Sequence, residues 1–266
     1  MRLAWTTDLH LDLATDTLFY AFCRALRAER PDAVLVGGDI AEAPALHTYL
    51  HQLRVEIGDI PIYFVLGNHD YYHGAVQEVR DQVTALCQGT PHLHWLPLEG
   101  IVALTAETAL IGHGGWADGR LGDWDRSGVR LNDYTRIRDF KLLCKKERLD
   151  TMQRLAAEAA AHVRAFLPSA LECFSRVVFL SHVPPFAEAC WHEGRISNAD
   201  YLPHFASRII GEALLESARA FPNRKVTVLC GHTHGGGRAH IAPNIESLTG
   251  AAEYGAPTVQ QVLEVE

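Results

Sequence analysis

Short apolar runs that stop at small or polar residues alternate along the chain with stretches of helical periodicity. "RLAWTT" (2–7) precedes "DTLFYAFCRALRAERP" (16–31), where Leu18, Phe19, Phe22, Cys23 and Leu26 recur at helical spacing. "AVLVGGD" (33–39) reads as a buried strand closed by two glycines, with a helix over 43–56 after it. "IPIYFVLGNHD" (60–70) repeats the scheme, and a helix follows over 74–87. Strand, helix, strand, helix, strand predicts a parallel sheet covered by helices.

After residue 90 the pattern shortens to strand-like runs at 93–98, 100–106 and 108–115. The stretch 116–139, rich in Gly, Asp and Arg, has no clear period and predicts a long loop, of the functional or mobile kind. A long helix is predicted over 141–167, ended by Pro168. "RVVFLSHVPP" (176–185), a helix near 204–220 and "KVTVLCGHTH" (225–234) resume the parallel pattern, and strands at 238–242, 244–249 and 258–265 complete the chain. With no repeat, low-complexity tract or flexible linker, 1–266 is expected to be one domain with a loop and helical insertion around 114–168.

The 266 residues are 48% hydrophobic and 21% charged, enough for a large core. A net charge of -8 offers no basic face for long nucleic acids or an anionic membrane. Asp8 and His10 interrupt what a signal peptide would need as an apolar stretch, and no run reaches the roughly 18 residues of a membrane span. Six scattered cysteines without a C-x-x-C pair read as buried thiols, and the expected compartment is the cytoplasm.

Histidine changes the picture, since there are 15 and several sit where an apolar run ends. The runs end in Asp8-Leu9-His10, Gly38-Asp39, Gly67-Asn68-His69-Asp70, Ser181-His182 and Gly231-His232-Thr233-His234. In open α/β sheets the ligand site lies outside the carboxyl ends of the strands, so these clusters should converge. Carboxylates, imidazoles and an amide oxygen without thiolate suit Mn, Fe or Zn, and seven or more such donors exceed the needs of one tetrahedral ion. On an extended backbone residues i and i+2 share a side, which would let Asp8 and His10 face one ion together. Gly38, Gly67 and Gly231 are expected to give room for close approach.

Taken in order, D-x-H, G-D, G-N-H-D, S-H and G-H-T-H resemble the signature of the calcineurin-like metallophosphoesterase superfamily, over residues 8–234. The resemblance implies an α/β four-layer sandwich of two facing mixed β-sheets flanked by helices. It implies two divalent ions (Mn, Fe or Zn), one held by Asp8, His10, Asp39 and His234 and the other by Asp39, Asn68, His182 and His232. Asp39 is then the bridge and His69 the catalytic histidine. A hydroxide shared by the ions would attack phosphorus, and His69 would stabilise the transition state or protonate the leaving alkoxide.

Glu42 is the expected partner orienting His69, and Asp70 either belongs to this set or caps the next helix. Ala43 stands where protein phosphatases of the superfamily carry a phosphate-gripping arginine, and Asp70 where they carry glutamate, which speaks against that activity. Phosphate or substrate contacts are then sought in the 114–140 loop, at Trp116, Tyr134, Arg136 and Arg138, with His113 a further candidate. The remaining histidines, among them His192 and His204, are read as surface or structural. A small phosphomonoester or phosphodiester is the expected substrate, with a nuclease or cyclic-nucleotide phosphodiesterase as the alternative and a noncatalytic scaffold behind both.

Overall fold

The structure is a computed structural model that describes residues 1–266. Its first half runs β1 (Arg2–Thr6), α1 (Asp16–Ala28), β2 (Ala33–Val36), α2 (Ala43–Ile57), β3 (Ile62–Phe64), α3 (Val76–Gly89), β4 (Leu93–Trp95) and α4 (Leu96–Glu99). There follow β5 (Val102–Ala103), β6 (Thr108–Gly112), α5 (Asp133–Arg136), α6 (Lys145–Cys173), β7 (Arg176–Leu180), β8 (Trp191–His192), β9 (Arg195–Ile196) and α7 (Leu202–Phe205). The chain closes with α8 (Arg208–Ala220), β10 (Lys225–Cys230), β11 (Gly237–Ala242), β12 (Ile245–Thr249) and β13 (Gln261–Glu264).

Two large sheets result. The first has the order β13-β1-β2-β3-β4 and the second β11-β12-β10-β7-β6-β5. Strands β1 to β4 run parallel, as do β12, β10, β7 and β6, while β13, β11 and β5 are antiparallel edge strands. Alternation along each strand decides the layering. Leu3, Trp5 and Leu35 of the first sheet pack against Leu110, Val178, Leu180, Leu229 and Leu248 of the second, so the sheets face each other. Ala4, Val34, Val36 and Phe64 point the other way, under the buried stripes of α1, α2 and α3. Ala109, Ile111, Val177, Phe179 and Val228 likewise lie under α6 and α8. Helix, sheet, sheet, helix is the four-layer sandwich that the resemblance implied.

Register places the site. Thr6 pairs with Val36 and Val36 with Phe64, while Gly112 pairs with Leu180 and Val228 with Phe179. The carboxyl ends within each sheet are thus nearly level, and the loops that follow open at one edge.

Several expectations are corrected. Helix α6 does not stop at Pro168 but continues to Cys173. The missing N–H leaves only the carbonyl of Arg164, a residue on the exposed side, while Leu167, Ala170 and Leu171 continue the buried stripe. The strand at 93–98 ends at Trp95, and the helix near 204–220 is two helices, α7 and α8. Residues 116–139 are mostly irregular but fold onto the first core through Trp116, Trp124 and Tyr134. Only Cys23, Cys190 and Cys230 are buried; Cys144 and Cys173 are exposed, and all six are free thiols. No helix is long and apolar enough to cross a membrane.

Candidate metal centre

The five motifs do meet at the level strand ends, but by a backbone route the alternation rule missed. Strands β1, β2 and β10 stop at Thr6, Val36 and Cys230, before the donor residues begin. Asp8, His10, Asp39, His232 and His234 then have φ of 52°, 41°, 49°, 71° and 58°, in the left-handed region. Each such residue costs about 1–3 kcal/mol, which surrounding structure must hold in place. Part of that hold is visible: His232 N–H donates to Asp8 Oδ1 (2.9 Å), and His69 N–H donates to Asp39 Oδ1 (2.8 Å). The D-x-H and H-x-H residues therefore face inward because the chain curls, not because it is extended.

Two glycines are required by the crowding. A methyl on Gly231 would lie 1.9 Å from Asp8 Oδ2, and one on Gly67 would lie 2.2 Å from Asp39 Oδ1.

One donor atom from each of Asp8, His10, Asp39 and His234 lies within 4.8 Å of the others. Asp39, His182 and His232 form a second such group, and Asp39 belongs to both. Asn68 completes the second, its Oδ1 lying 3.0 Å from His182 Nε2 and 2.9 Å from His232 Nδ1. Hydrogen-bond partners on the far side of each ring set the tautomers. His182 Nδ1–H donates to the Gly37 carbonyl (2.9 Å) and His232 Nε2–H faces the His204 carbonyl (3.4 Å). His182 Nε2 and His232 Nδ1 are thereby left as lone pairs aimed inward.

Charge tells the same story. Burial pushes the Asp8 carboxyl up to about 7, and burial together with Asp8 and Asp70 holds Asp39 well above the carboxylate range. Burial pulls His10 down to about 3, His232 to about 4, and His182 well below its usual value. Crowded carboxylates without a facing Lys or Arg, beside imidazoles kept neutral, are the donor set a divalent cation fits.

Other candidates fall elsewhere. Asp70 is fully buried and caps no helix; its carboxylate accepts from Ile40 N–H (2.7 Å), Ala41 N–H (3.0 Å) and Gly67 N–H (2.7 Å), tying the loop of Asp39 to that of Asn68. Glu42 pairs with Arg136 (2.9 Å) and His73 (3.3 Å) rather than with His69. Trp116 stacks on Phe140 in the core, and Tyr134 is buried with its hydroxyl on His204. Arg136 lies over the Tyr72 ring at 5.4 Å and pairs with Glu42, and Arg138 pairs with Glu78. His113 packs beside His162, at 5.5 Å between ring centroids.

A cavity of about 260 Å³ opens over the donor groups. His69 forms part of its wall, stacked on Tyr72 at 4.2 Å and edge-on to His10 at 4.6 Å. Tyr72, His192, Phe205 and Tyr254 make the lining largely aromatic, and it contains no Lys or Arg. Tyr254 sits 4.6 Å from His10 and 4.8 Å from His234 between ring centroids, while remaining more than half exposed. Sequence reasoning passed over these wall residues and Asp133, which lie outside the strand-end motifs; an aromatic in the Gly-flanked tail loop was the one faint signal, for Tyr254.

Comparison with known proteins agrees with this arrangement. A family model described as calcineurin-like phosphoesterase matches residues 1–236. A UDP-2,3-diacylglucosamine hydrolase of Bordetella pertussis is 32% identical over 121 residues, a match covering 41% of this chain and only 43% of that protein. Among solved structures, a dimetal phosphatase of Danio rerio superposes with TM-score 0.58 at 15% identity, over 94% of this chain and 87% of the other. TT1561 of Thermus thermophilus gives 0.51 at 13% identity (94% and 88%), and GAP50, the anchor in the inner membrane complex of Plasmodium, gives 0.52 at 13% (94% and 70%). At such identities the structures speak for the fold alone, but the family match runs from β1 through all five motifs: the chain belongs to the calcineurin-like phosphoesterase family, whose members include metal-dependent phosphohydrolases.

Proposed function

We propose that this chain hydrolyses a small phosphomonoester or phosphodiester, using two divalent ions held by the paired donor groups. The observation that carries the reading is the sharing of Asp39 between two clusters of inward-facing donors, with His69 beside them on the wall of one cavity. Asp8, His10, Asp39 and His234 hold one ion; Asp39, Asn68, His182 and His232 hold the other. When bound, the ions supply Lewis acidity toward the phosphoryl oxygens and a nucleophile at neutral pH. His69, not needed as a ligand, hydrogen-bonds the phosphoryl or leaving oxygen, and the ring of Tyr72 keeps its plane fixed.

The aromatic lining supports an organic substituent on the phosphate. The partial likeness to a hydrolase of UDP-2,3-diacylglucosamine adds pyrophosphates of nucleotides to the substrates worth testing. A net charge of -8 and a lining without Lys or Arg weigh against long nucleic acids.

The test is a screen of protein reconstituted with Mn, Fe or Zn across p-nitrophenyl phosphate, bis-p-nitrophenyl phosphate, cyclic nucleotides, nucleotide pyrophosphates and DNA. Metal-dependent turnover of a small ester with no cutting of DNA is expected. A folded, metal-loaded protein inert toward every ester would sink the enzyme reading in favour of a noncatalytic scaffold, and preferential cutting of DNA would replace it with a nuclease.

A further inference from the structure

The connection between β6 and α6 contributes no donor to either metal group, yet two adjacent residues in it reach behind two donors of the same group. Asp133 is buried, and its Oδ1 accepts from Asn68 Nδ2 (2.8 Å) and from the Tyr72 hydroxyl (2.7 Å). A side-chain amide can turn over and exchange its oxygen and nitrogen. A carboxylate offers no hydrogen, so it holds the amide nitrogen and leaves Asn68 Oδ1 facing His182 and His232.

Tyr134, the next residue, donates its hydroxyl to His204 Nδ1, and His204 Nε2–H donates to Ser127 Oγ (2.9 Å). The Ser127 hydroxyl in turn donates to the Asp200 carbonyl (2.8 Å). The relay fixes His204, whose carbonyl faces His232 Nε2. Asp8 is held instead by Thr7 (2.6 Å) and by His232 N–H, with no contribution from the connection.

We infer that Asp133 is a positioning residue for Asn68, and that the β6–α6 connection clamps one of the two metal positions, the one formed by Asp39, Asn68, His182 and His232, leaving the other independent of it. The inference rests on the reading of these donors as metal ligands. The two positions then respond unequally when the clamp is cut.

The experiment titrates Mn²⁺ into metal-free full-length protein, counting bound Mn²⁺ per chain by equilibrium dialysis with elemental analysis and following the exchange-coupled Mn–Mn signal by electron paramagnetic resonance. Wild type is expected to take two ions. Asp133→Ala should keep one at wild-type affinity and bind the second about 10–100-fold more weakly, the usual cost of losing such a support. Asp133→Asn retains an acceptor oxygen but adds N–H donors that can hold Asn68 turned over, and should restore the second ion only in part. Tyr72→Phe drops one hydrogen bond with little loss of volume, and should weaken the same single ion; it decides the matter if the alanine variant does not fold. Two ions at wild-type affinity in Asp133→Ala, or equal weakening of both with no rescue by asparagine, overturns the clamp. A wild-type protein that binds no Mn²⁺ strikes instead at the ligand assignment on which the clamp depends.

Discussion

Replacing Asp70 with alanine removes the acceptor shared by Ile40, Ala41 and Gly67 N–H, three donors in fully buried surroundings. An orphaned buried donor costs about 1–3 kcal/mol, so three set a loss of about 3–9 kcal/mol. Water entering the vacated space can satisfy part of the deficit, and the expected loss is about 3–5 kcal/mol. Against a total stability of about 5–15 kcal/mol this is a large fraction. Urea unfolding of metal-free protein measures it directly, as a fall in midpoint at unchanged slope, and the metal-free state keeps lost ion binding out of the result. Asp70→Asn should fall between, because its amide oxygen still serves Ile40 and Ala41 while its nitrogen opposes Gly67 N–H. A loss below about 1 kcal/mol in the alanine variant would show that the loops of Asp39 and Asn68 do not depend on this carboxylate.

Other expectations follow from the site and core. His69→Ala should retain both ions by elemental analysis yet lose about 10²–10⁴-fold in kcat, whereas Asp39→Ala should lose both; normal metal content in the latter refutes the bridge. Stripping metal with a chelator, compared with protein holding ions at about 100 times Kd, should cost about 2.7 kcal/mol per site, a drop in Tm of roughly 5–10 °C for each of the two sites by scanning calorimetry. Burial beside His162 and Arg80 pulls His113 down to about 3, so below its unfolded value near 6.5 only the unfolded chain takes up the proton. Stability should fall from pH 6.5 toward 5 by about 1–2 kcal/mol on this account, and a urea midpoint in His113→Phe with an undiminished pH slope would contradict it.

The alternation of apolar runs with helical stretches was legible because the central parallel strands β1, β2, β6 and β7 are buried on both faces and the helices between them on one. Clustering of the motif residues was equally legible, since parallel strands in register must deliver their following loops to one edge. What escaped was anything set by irregular backbone. The left-handed turn at Asp8 and His10 is imposed by Asp39 and His232 from distant parts of the chain, and a local pattern cannot announce it. Trp116 and Tyr134 suggested a pocket because aromatics in an aperiodic loop lack an evident core; the loop folds inward and α6 supplies one. Asp133 carries no motif, and only its contacts with Asn68 and Tyr72 reveal its place. Pro168 was overridden by packing, the ordinary fate of a local signal opposed by a continuous buried stripe.

The donors are divided between the two sheets. Asp8, His10, Asp39 and Asn68 follow strands of the first, and His182, His232 and His234 follow strands of the second. During synthesis, a nascent chain that has emerged only as far as α6 carries the carboxylates and one imidazole but none of the three later histidines. The first sheet also waits for β13, which pairs with β1 across almost the whole length of the polypeptide. On the proposed ligand assignment ion capture is a late event, closing across a seam between halves made at different times, and bound metal would report that both halves have been made and have found each other.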